Sequence, residues 1–216
     1  MKRTKSTSSQ AGPASGWLAP ADEPVTKRRI LEAAADVFAD KGYYAAAVDD
    51  IVRASDTSKG SFYHFFPSKQ GIFLALVDHM YSVLLRRVEA AIEQERGALN
   101  KVDAALRTVL TEFSRHRRLA KIMLIEAAGL GHAFNDKLFE LHAGFAQLIQ
   151  RYLDRAVEEG SIKPLDTELA AYAWLGAVNE VVTRWVYAGR PDPLDAALPE
   201  LRAMLLRSIG AQEAGL

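Results

Sequence analysis

The sequence predicts an all-α protein built from about nine helices. Apolar residues recur at helical spacing along most of the 216-residue chain, and no segment alternates apolar and polar side chains for long enough to suggest a strand. Glycine, proline and asparagine stand at the predicted breaks, where such residues end one helix or begin the next. We therefore expect a short three-helix unit followed by a larger helical domain.

The composition fits a chain that folds around a large apolar core. Hydrophobic residues make up 49% of the sequence, and 27 basic side chains balance 27 acidic ones. A neutral total argues mildly against a nucleic-acid-binding protein, which is often basic. No apolar run approaches the roughly 20 residues of a membrane-spanning helix, so we expect a cytoplasmic protein with no membrane partner. The absence of cysteine excludes disulfides and thiolate metal sites.

Three segments differ in their patterning. Residues 1–24 are rich in Ser, Pro, Gly and Lys without an apolar period, which predicts a disordered tail. Residues 25–70 hold the three-helix unit, and residues 71–216 form the larger helical domain. After the first three helices, further helices are predicted at 69–96, 101–114, 117–128, 135–159, 166–188 and 194–209.

The first helix begins near Thr26 and is predicted to end at Gly42 in a left-handed cap. Its apolar stripe consists of Ile30, Ala34, Val37 and Phe38. A second helix covers 48–55 and a third covers 59–65, and Pro67 prevents the third from continuing. Two short helices joined by a tight turn are typical of a helix-turn-helix that reads DNA.

The turn and the third helix carry the residues that this hypothesis needs. Asp56 stands where the turn requires a positive φ, and Ser58 is placed to cap the third helix. Lys69, just after the cap residue Ser68 of the fourth helix, is a second candidate for a phosphate contact. The aromatic residues Phe62, Phe65 and Phe66 are expected to pack behind the third helix. The face predicted to contact DNA consists of Ser58, Lys59, Gly60, Ser61, Tyr63 and His64.

This N-terminal pattern resembles the TetR family of bacterial transcriptional regulators. The resemblance implies a homodimer that binds double-stranded operator DNA, places its two recognition helices about 34 Å apart, represses transcription and responds to a small molecule. The chain departs from the family pattern at Ala46-Ala47, at Asp56 and at Gly71. The matching residues are Arg28, Ile30, Leu31, Ala33, Ala34, Phe38, Gly42, Tyr43, Val48, Asp50, Ile51, Ser58, Lys59, Gly60, Ser61, Phe62, Tyr63, Phe66, Ser68 and Lys69.

The resemblance also implies that the last two helices of each subunit pack as a four-helix bundle. Two stripes of residues in the sequence agree with such a bundle. Small residues line one face of the helix predicted at 166–188, and leucines line the helix predicted at 194–209. The alternative is that both stripes are buried within one subunit. The predicted interface residues are Ala173, Gly176, Ala177, Leu194, Leu198, Leu201 and Leu205.

An effector would lie among the C-terminal helices, and a small hydrophobic molecule is the leading hypothesis. For any single residue the alternative is ordinary core packing. The predicted pocket residues are Met123, Glu126, Phe134, Phe145, Trp174, Val178, Asn179 and Trp185.

Residues 125–137 are similar to acyl-CoA-responsive regulators of fatty-acid metabolism in the same family. Residues 115–121 hold four fixed positive charges, which would suit the phosphates of a coenzyme A thioester or form a solvated helix face. Another aromatic or cationic effector is an alternative.

The chain shows no pattern typical of an enzyme. Its five histidines lack His-Glu-x-x-His spacing, and neither a Gly-x-Ser-x-Gly motif nor a phosphate-binding loop occurs. We therefore expect no catalytic residue, metal or cofactor. A helical lipid carrier that does not bind DNA is the alternative from another class, but it leaves residues 26–69 unexplained.

Overall fold

The computed structural model describes residues 24–127 and 130–211, without the side chain of Leu99. The predicted disordered tail, apart from Pro24, lies outside the described residues. Across the described part the structure holds nine α-helices and no strand, which confirms the all-α prediction. The helices are α1 Val25–Ala45, α2 Val48–Ala54, α3 Lys59–Phe65, α4 Lys69–Glu93, α5 Ala98–Arg115, α6 Arg117–Lys121, α7 His132–Glu158, α8 Thr167–Ala188 and α9 Leu198–Ser208.

Two short segments of other helical types adjoin these helices. A π-helical segment, Ile122–Glu126, continues α6, and a 3₁₀ turn, Leu194–Ala197, precedes α9. Gly42 has φ +75° and ψ 163°, which is a kink rather than the predicted left-handed cap. The chain returns to helical geometry for one more turn, so α1 ends at Ala45.

The N-terminal unit is α1 to α3 together with the first turns of α4. Its core is aromatic: Phe38 lies edge-on against Phe73 with ring centroids 4.9 Å apart, and both rings are fully buried. Phe62 and Phe66 are buried and Phe65 is half-buried, as expected for the inner side of α3. The core holds α3 firmly while leaving its other side uncovered.

The helices of the C-terminal domain run antiparallel to one another. In each pair, one helix leads away from the N-terminal unit and the next returns to it. The helix α4 leaves that unit and α5 returns beside it. The α6 helix and the π segment contact α1, after which α7 leaves again and α8 returns to α6. The last helix, α9, packs on α5. In the described ranges, no helix combines the length and apolarity needed to cross a bilayer.

Candidate nucleic-acid interface and ligand cavity

The turn between α2 and α3 is held by backbone geometry and by one arginine. Asp56 adopts φ +49°, the conformation that the sequence required of it. The guanidinium of Arg29, on α1, donates to the carbonyl oxygens of Ser55 at 2.7 Å and Asp56 at 3.1 Å. The α2–α3 pair is thereby fixed against the first helix.

The outer side of α3 is open to solvent. The hydroxyl of Ser58 caps the helix by accepting from the Ser61 N–H at 3.0 Å, as predicted. Lys59, Gly60, Tyr63 and His64 are exposed, and the Tyr63 side chain is 53% exposed. The structure therefore brings the residues predicted on the third helix onto one uncovered face.

One charge on this face already has a partner. The Lys59 ammonium lies 2.8 Å from the Asp49 carboxylate of α2, and this hydrogen bond raises the pKa of Lys59. Both side chains are more than half exposed. The lysine is therefore fully charged, but a phosphate must compete with Asp49 for it.

Lys69, the second predicted phosphate contact, is bound by backbone carbonyl oxygens in this structure. Its ammonium donates to the carbonyl oxygens of Tyr43 at 2.9 Å, Tyr44 at 3.3 Å and Ala46 at 2.9 Å. An ammonium has three donors, so none is left for a DNA phosphate. Lys69 instead closes the chain between α1 and α2.

Asp50 takes over the capping that Ala47 cannot provide. Its carboxylate accepts from the Ala47 N–H at 3.1 Å and lies 2.8 Å from the Lys41 ammonium. The hydrogen bond from Lys41, followed by that from Ala47, lowers the pKa of Asp50. An aspartate three residues after the cap position was the sequence signal for this role.

The C-terminal domain encloses a cavity of about 620 Å³ among α4, α5, α7, α8 and α9. Its walls are mostly aliphatic and aromatic, with Val88, Leu106 and Leu148 among them. Of the predicted pocket residues, five line this cavity: Met123, Phe145, Trp174, Val178 and Asn179.

The cavity has two ends with different chemistry. The proximal end, nearest the N-terminal unit, is formed by Phe113, Met123 and Leu124. The distal end lies where α5 begins and α7 ends, and its polar members include Lys101 and Arg155. The cavity therefore extends from the charged residues Lys101 and Arg155 to the π segment beside α1.

The other three predicted pocket residues lie outside the walls of this cavity. The Glu126 carboxylate accepts from the Tyr43 N–H at 3.2 Å and pairs with Lys121 at 3.3 Å. Phe134 packs against Tyr43, with ring centroids 5.3 Å apart, and Trp185 lies under the Arg117 guanidinium at 4.9 Å. Two of the three, Glu126 and Phe134, therefore join the C-terminal domain to α1.

Glu126 meets α1 at its kink. A Cβ atom added at Gly42 would lie 3.2 Å from the Glu126 carboxylate, so the close approach and the positive φ both favour glycine there. Sequence reasoning missed this contact because Gly42 and Glu126 are 84 positions apart.

The basic segment 115–121 takes part in contacts between helices. Arg117 donates to the carbonyl oxygens of Trp185 at 3.0 Å and Val186 at 2.7 Å. Arg118 pairs with Asp36 and Asp40 of α1 at 3.3 and 3.2 Å. Lys121 donates to the Ala39 carbonyl oxygen of α1 at 3.0 Å. We name Arg118, Lys121 and Glu126 the α1 clamp.

A buried polar pair adjoins the cavity. The Tyr81 hydroxyl, on the cavity wall, lies 3.1 Å from Nε2 of His142. Burial raises the pKa of Tyr81 and lowers the pKa of His142. Both side chains are therefore held neutral at neutral pH.

The two predicted dimer stripes are placed differently. Ala173 and Gly176 are exposed on α8 and Ala177 is half-buried, and a Cβ added at Gly176 would meet nothing within 4 Å. Large apolar residues of the same helix are also exposed, with Leu169 66% and Tyr187 71% exposed.

The leucine stripe is packed inside the subunit. Leu194, Leu201 and Leu205 are buried, Leu198 is half-buried, and Leu205 lines the cavity. These leucines follow the alternative of burial within one subunit, because α9 turns them toward α5.

Two family profiles match the chain. Residues 30–76 match "Bacterial regulatory proteins, tetR family", and residues 95–207 match "Tetracyclin repressor-like, C-terminal domain".

Two curated relatives span most of the chain. The fatty acid metabolism regulator protein of Bacillus subtilis (strain 168) is 25% identical over 182 residues, which are 84% of this chain and 94% of that one. The HTH-type transcriptional repressor DhaR of Mycobacterium sp. (strain GP1) is 23% identical over 184 residues, 84% and 93% of the two chains. Both are named as regulators, not as enzymes.

Two solved structures share the fold. FadR from Bacillus subtilis in complex with stearoyl-CoA has a TM-score of 0.79 at 23% identity, with 87% of this chain and 100% of that chain covered. The fatty acid degradation regulator FadR from Bacillus halodurans also has a TM-score of 0.79, at 24% identity, with 83% and 97% covered.

Proposed function

We propose that this chain, which belongs to the TetR family of bacterial regulatory proteins, is a cytoplasmic homodimeric repressor that leaves its operator when an acyl ligand fills the cavity. As a member of that family it is a DNA-binding transcriptional regulator. The observation that carries the ligand response is the π segment Ile122–Glu126. One of its residues, Met123, lines the cavity, and another, Glu126, holds α1.

The uncovered face of α3 supports the DNA contact. Lys59 and Tyr63 present a cation and a phenol next to the small residues Gly60 and Ser61, so the backbone can approach a groove. Ser58, Lys59, Gly60, Ser61, Tyr63 and His64 remain the proposed contact residues.

The apolar walls support an acyl ligand. A cavity of about 620 Å³ is within the usual range for sites that bind small molecules, and its lining offers few polar partners. The name of the Bacillus subtilis relative and the stearoyl-CoA in the structure of Bacillus subtilis FadR agree with this ligand class. Met123, Phe145, Trp174, Val178 and Asn179 are the proposed wall residues, whereas Glu126 and Phe134, which contact α1, are proposed to transmit the signal.

The mechanism follows from the position of the π segment. An acyl chain that reaches the proximal end of the cavity contacts Met123 and Leu124. These two residues lie on the π segment that carries Glu126. A shift of Glu126 changes its hydrogen bond with the Tyr43 N–H and tilts α1. The tilt moves α3 as well, because Arg29 of α1 binds the turn before α3. The two recognition helices of a dimer then no longer match the operator spacing. Coupling of this kind is worth about 1–3 kcal/mol.

The exposed face of α8 supports the homodimer. Leu169, Tyr172 and Tyr187 leave apolar area uncovered, and Ala173 and Gly176 let a second helix approach closely. Gly176→Arg should yield a monomer in sedimentation velocity, because the arginine side chain would enter the contact. A Cβ atom at this position meets nothing of its own subunit within 4 Å. A dimer that persists in this variant would place the interface elsewhere.

A binding experiment tests the regulator and the effector together. Labelled DNA from the promoter next to the gene should bind at low salt, and binding should weaken as salt rises. Lys59→Ala with Tyr63→Ala should lose at least tenfold in affinity, since each contact is worth about 1 kcal/mol. The matched control is Arg86→Ala, which removes an exposed charge from the C-terminal domain. Equal binding by both variants would contradict the assigned face.

Addition of palmitoyl-CoA should then release the DNA. Release by an aromatic or cationic compound, with no effect of palmitoyl-CoA, would favour another effector. Tight palmitoyl-CoA binding without any affinity for neighbouring intergenic DNA would favour the lipid carrier.

A further inference from the structure

The distal end of the cavity carries the positive charge of the ligand site. Lys101, in the first turn of α5, and Arg155, in the last turn of α7, both line it. Their cationic groups lie 5.3 Å and 5.6 Å from the centre of the Tyr152 ring, which also lines the cavity. One tyrosine thus positions two cations at the same opening.

These two cations differ from those near α1. Arg118 and Lys121 are engaged by carboxylates and a carbonyl oxygen, as described above. Among the described residues, by contrast, no carboxylate lies within ion-pair distance of Lys101 or Arg155. Glu159 also lines the opening, so the site has two positive charges and one negative charge. The excess suits a ligand group with at least one negative charge.

We propose that Lys101 and Arg155 bind the anionic head group of an acyl ligand whose chain points toward Met123. This inference rests on the proposed function, because it assumes that an acyl chain occupies the cavity. The head group is either the carboxylate of a free fatty acid or a phosphate of its coenzyme A ester. Both anions accept charge-assisted hydrogen bonds from ammonium and guanidinium groups.

The opposite orientation would bury the head group among apolar side chains. The proximal end consists of Phe113, Met123 and Leu124, which offer no charge to an anion. Burial of an unpaired charge among apolar side chains is strongly unfavourable, whereas the distal end keeps the anion near water and two cations. The head group therefore lies away from the N-terminal unit.

In this orientation, the length of the acyl chain determines whether the ligand reaches the π segment. The terminal methyl group, not the head group, meets the π segment that holds α1. A short chain binds at the distal end without reaching Met123, so it should release DNA poorly even at saturation.

Three probes of equal chain length test the head-group site by titration calorimetry: palmitate, palmitoyl-CoA and the neutral 1-hexadecanol. In the double variant Lys101→Ala, Arg155→Ala we expect about a tenfold loss of affinity for an anionic probe, and no more than about a twofold loss for the alcohol. The control is Lys163→Ala, which removes an exposed charge from the same end of the domain but not from the cavity wall. It should bind all three probes as the wild type does.

The pattern of losses identifies the anion. A loss for palmitate alone indicates the carboxylate, and a loss for palmitoyl-CoA alone indicates a phosphate. Unchanged affinity for both anionic probes in the double variant would overturn the head-group site while leaving the acyl ligand intact. If none of the three probes binds the wild type, the acyl effector itself fails.

A second variant tests the direction of the chain. Met123→Phe narrows the proximal end, so affinity for palmitate should fall while affinity for the shorter decanoate is kept. Equal losses for the two chain lengths, or a loss confined to decanoate, would contradict the orientation.

Discussion

The helix-turn-helix unit has a fully buried core, whereas the C-terminal domain encloses a cavity. In the first, the side chains of Ile51, Phe62 and Phe73 are fully buried. In the second, five helices stand around about 620 Å³ of space. The first region, which binds DNA, needs a rigid base for its surface, whereas we propose that the second binds a ligand in its cavity. The α1 clamp contacts both regions, so in the proposed mechanism a change around the cavity moves the N-terminal unit as a rigid body.

The largest expected effect concerns packing. Ile51→Ala in the N-terminal core should cost about 4 kcal/mol in the free energy of unfolding, because the removed atoms leave a new void. Ile92→Ala, at an equally buried position on the cavity wall, should cost about 2 kcal/mol, because fewer contacts are lost beside an existing space. Urea unfolding followed by circular dichroism measures both. Equal costs would mean that the cavity is filled or collapsed in solution.

The next effect concerns the connection between the regions. Glu126→Ala removes the acceptor for the Tyr43 N–H, so palmitoyl-CoA should still bind but should weaken operator binding about tenfold less than in the wild type. Glu126→Gln keeps an acceptor oxygen and serves as the control. Fluorescence anisotropy with labelled DNA, with and without the ligand, gives the coupling. If palmitoyl-CoA weakened operator binding as much in Glu126→Ala as in the wild type, the signal would not pass through Glu126.

A smaller effect is that the stability of the two regions depends on pH in different ranges. Burial lowers the pKa of His142 below its ordinary 6.5, so the unfolded chain takes up a proton before the folded one does. The free energy of unfolding should therefore fall as pH drops below about 6.5. In the N-terminal unit, the stability due to the lowered pKa of Asp50 is lost only below its ordinary 3.8.

Denaturant unfolding at about pH 7 and pH 5 checks this window. His142→Gln, which keeps a partner for Tyr81, should lose less stability over that interval than the wild type. An identical loss in the variant would assign the pH dependence to other groups, of which His116 is one, because burial lowers its pKa as well.

The smallest effect concerns the proposed DNA-contact face of α3. Asp49→Asn removes the carboxylate that competes for Lys59, so operator affinity should rise about two- to fivefold at low salt. Asp192→Asn, an exposed position far along the chain, is the control for a general change in net charge. Reduced affinity in Asp49→Asn would show that Asp49 positions Lys59 for DNA.

The cap and the turn beside the proposed DNA-contact face were predictable because their interactions are local. Ser58 caps α3 through Ser61, three positions away, and Asp56 turns the chain within its own backbone. The contacts of Lys69 with the end of α1 were not predictable, because its acceptors lie 23 to 26 positions earlier in the chain. A lysine after a helix cap has the same local pattern whether it faces a phosphate or a carbonyl.

The sequence by itself determined the all-α fold, the order of its helices and the placement of the helix-turn-helix, because helical periodicity and capping act over three or four residues. Only the tertiary structure decided which apolar residues line the cavity and which pack in the core. Phe134 and Phe145 lie on the same helix with similar burial, yet one packs on Tyr43 and the other lines the cavity. Periodicity reports that a side chain points inward, but what it meets there depends on residues far away in the chain.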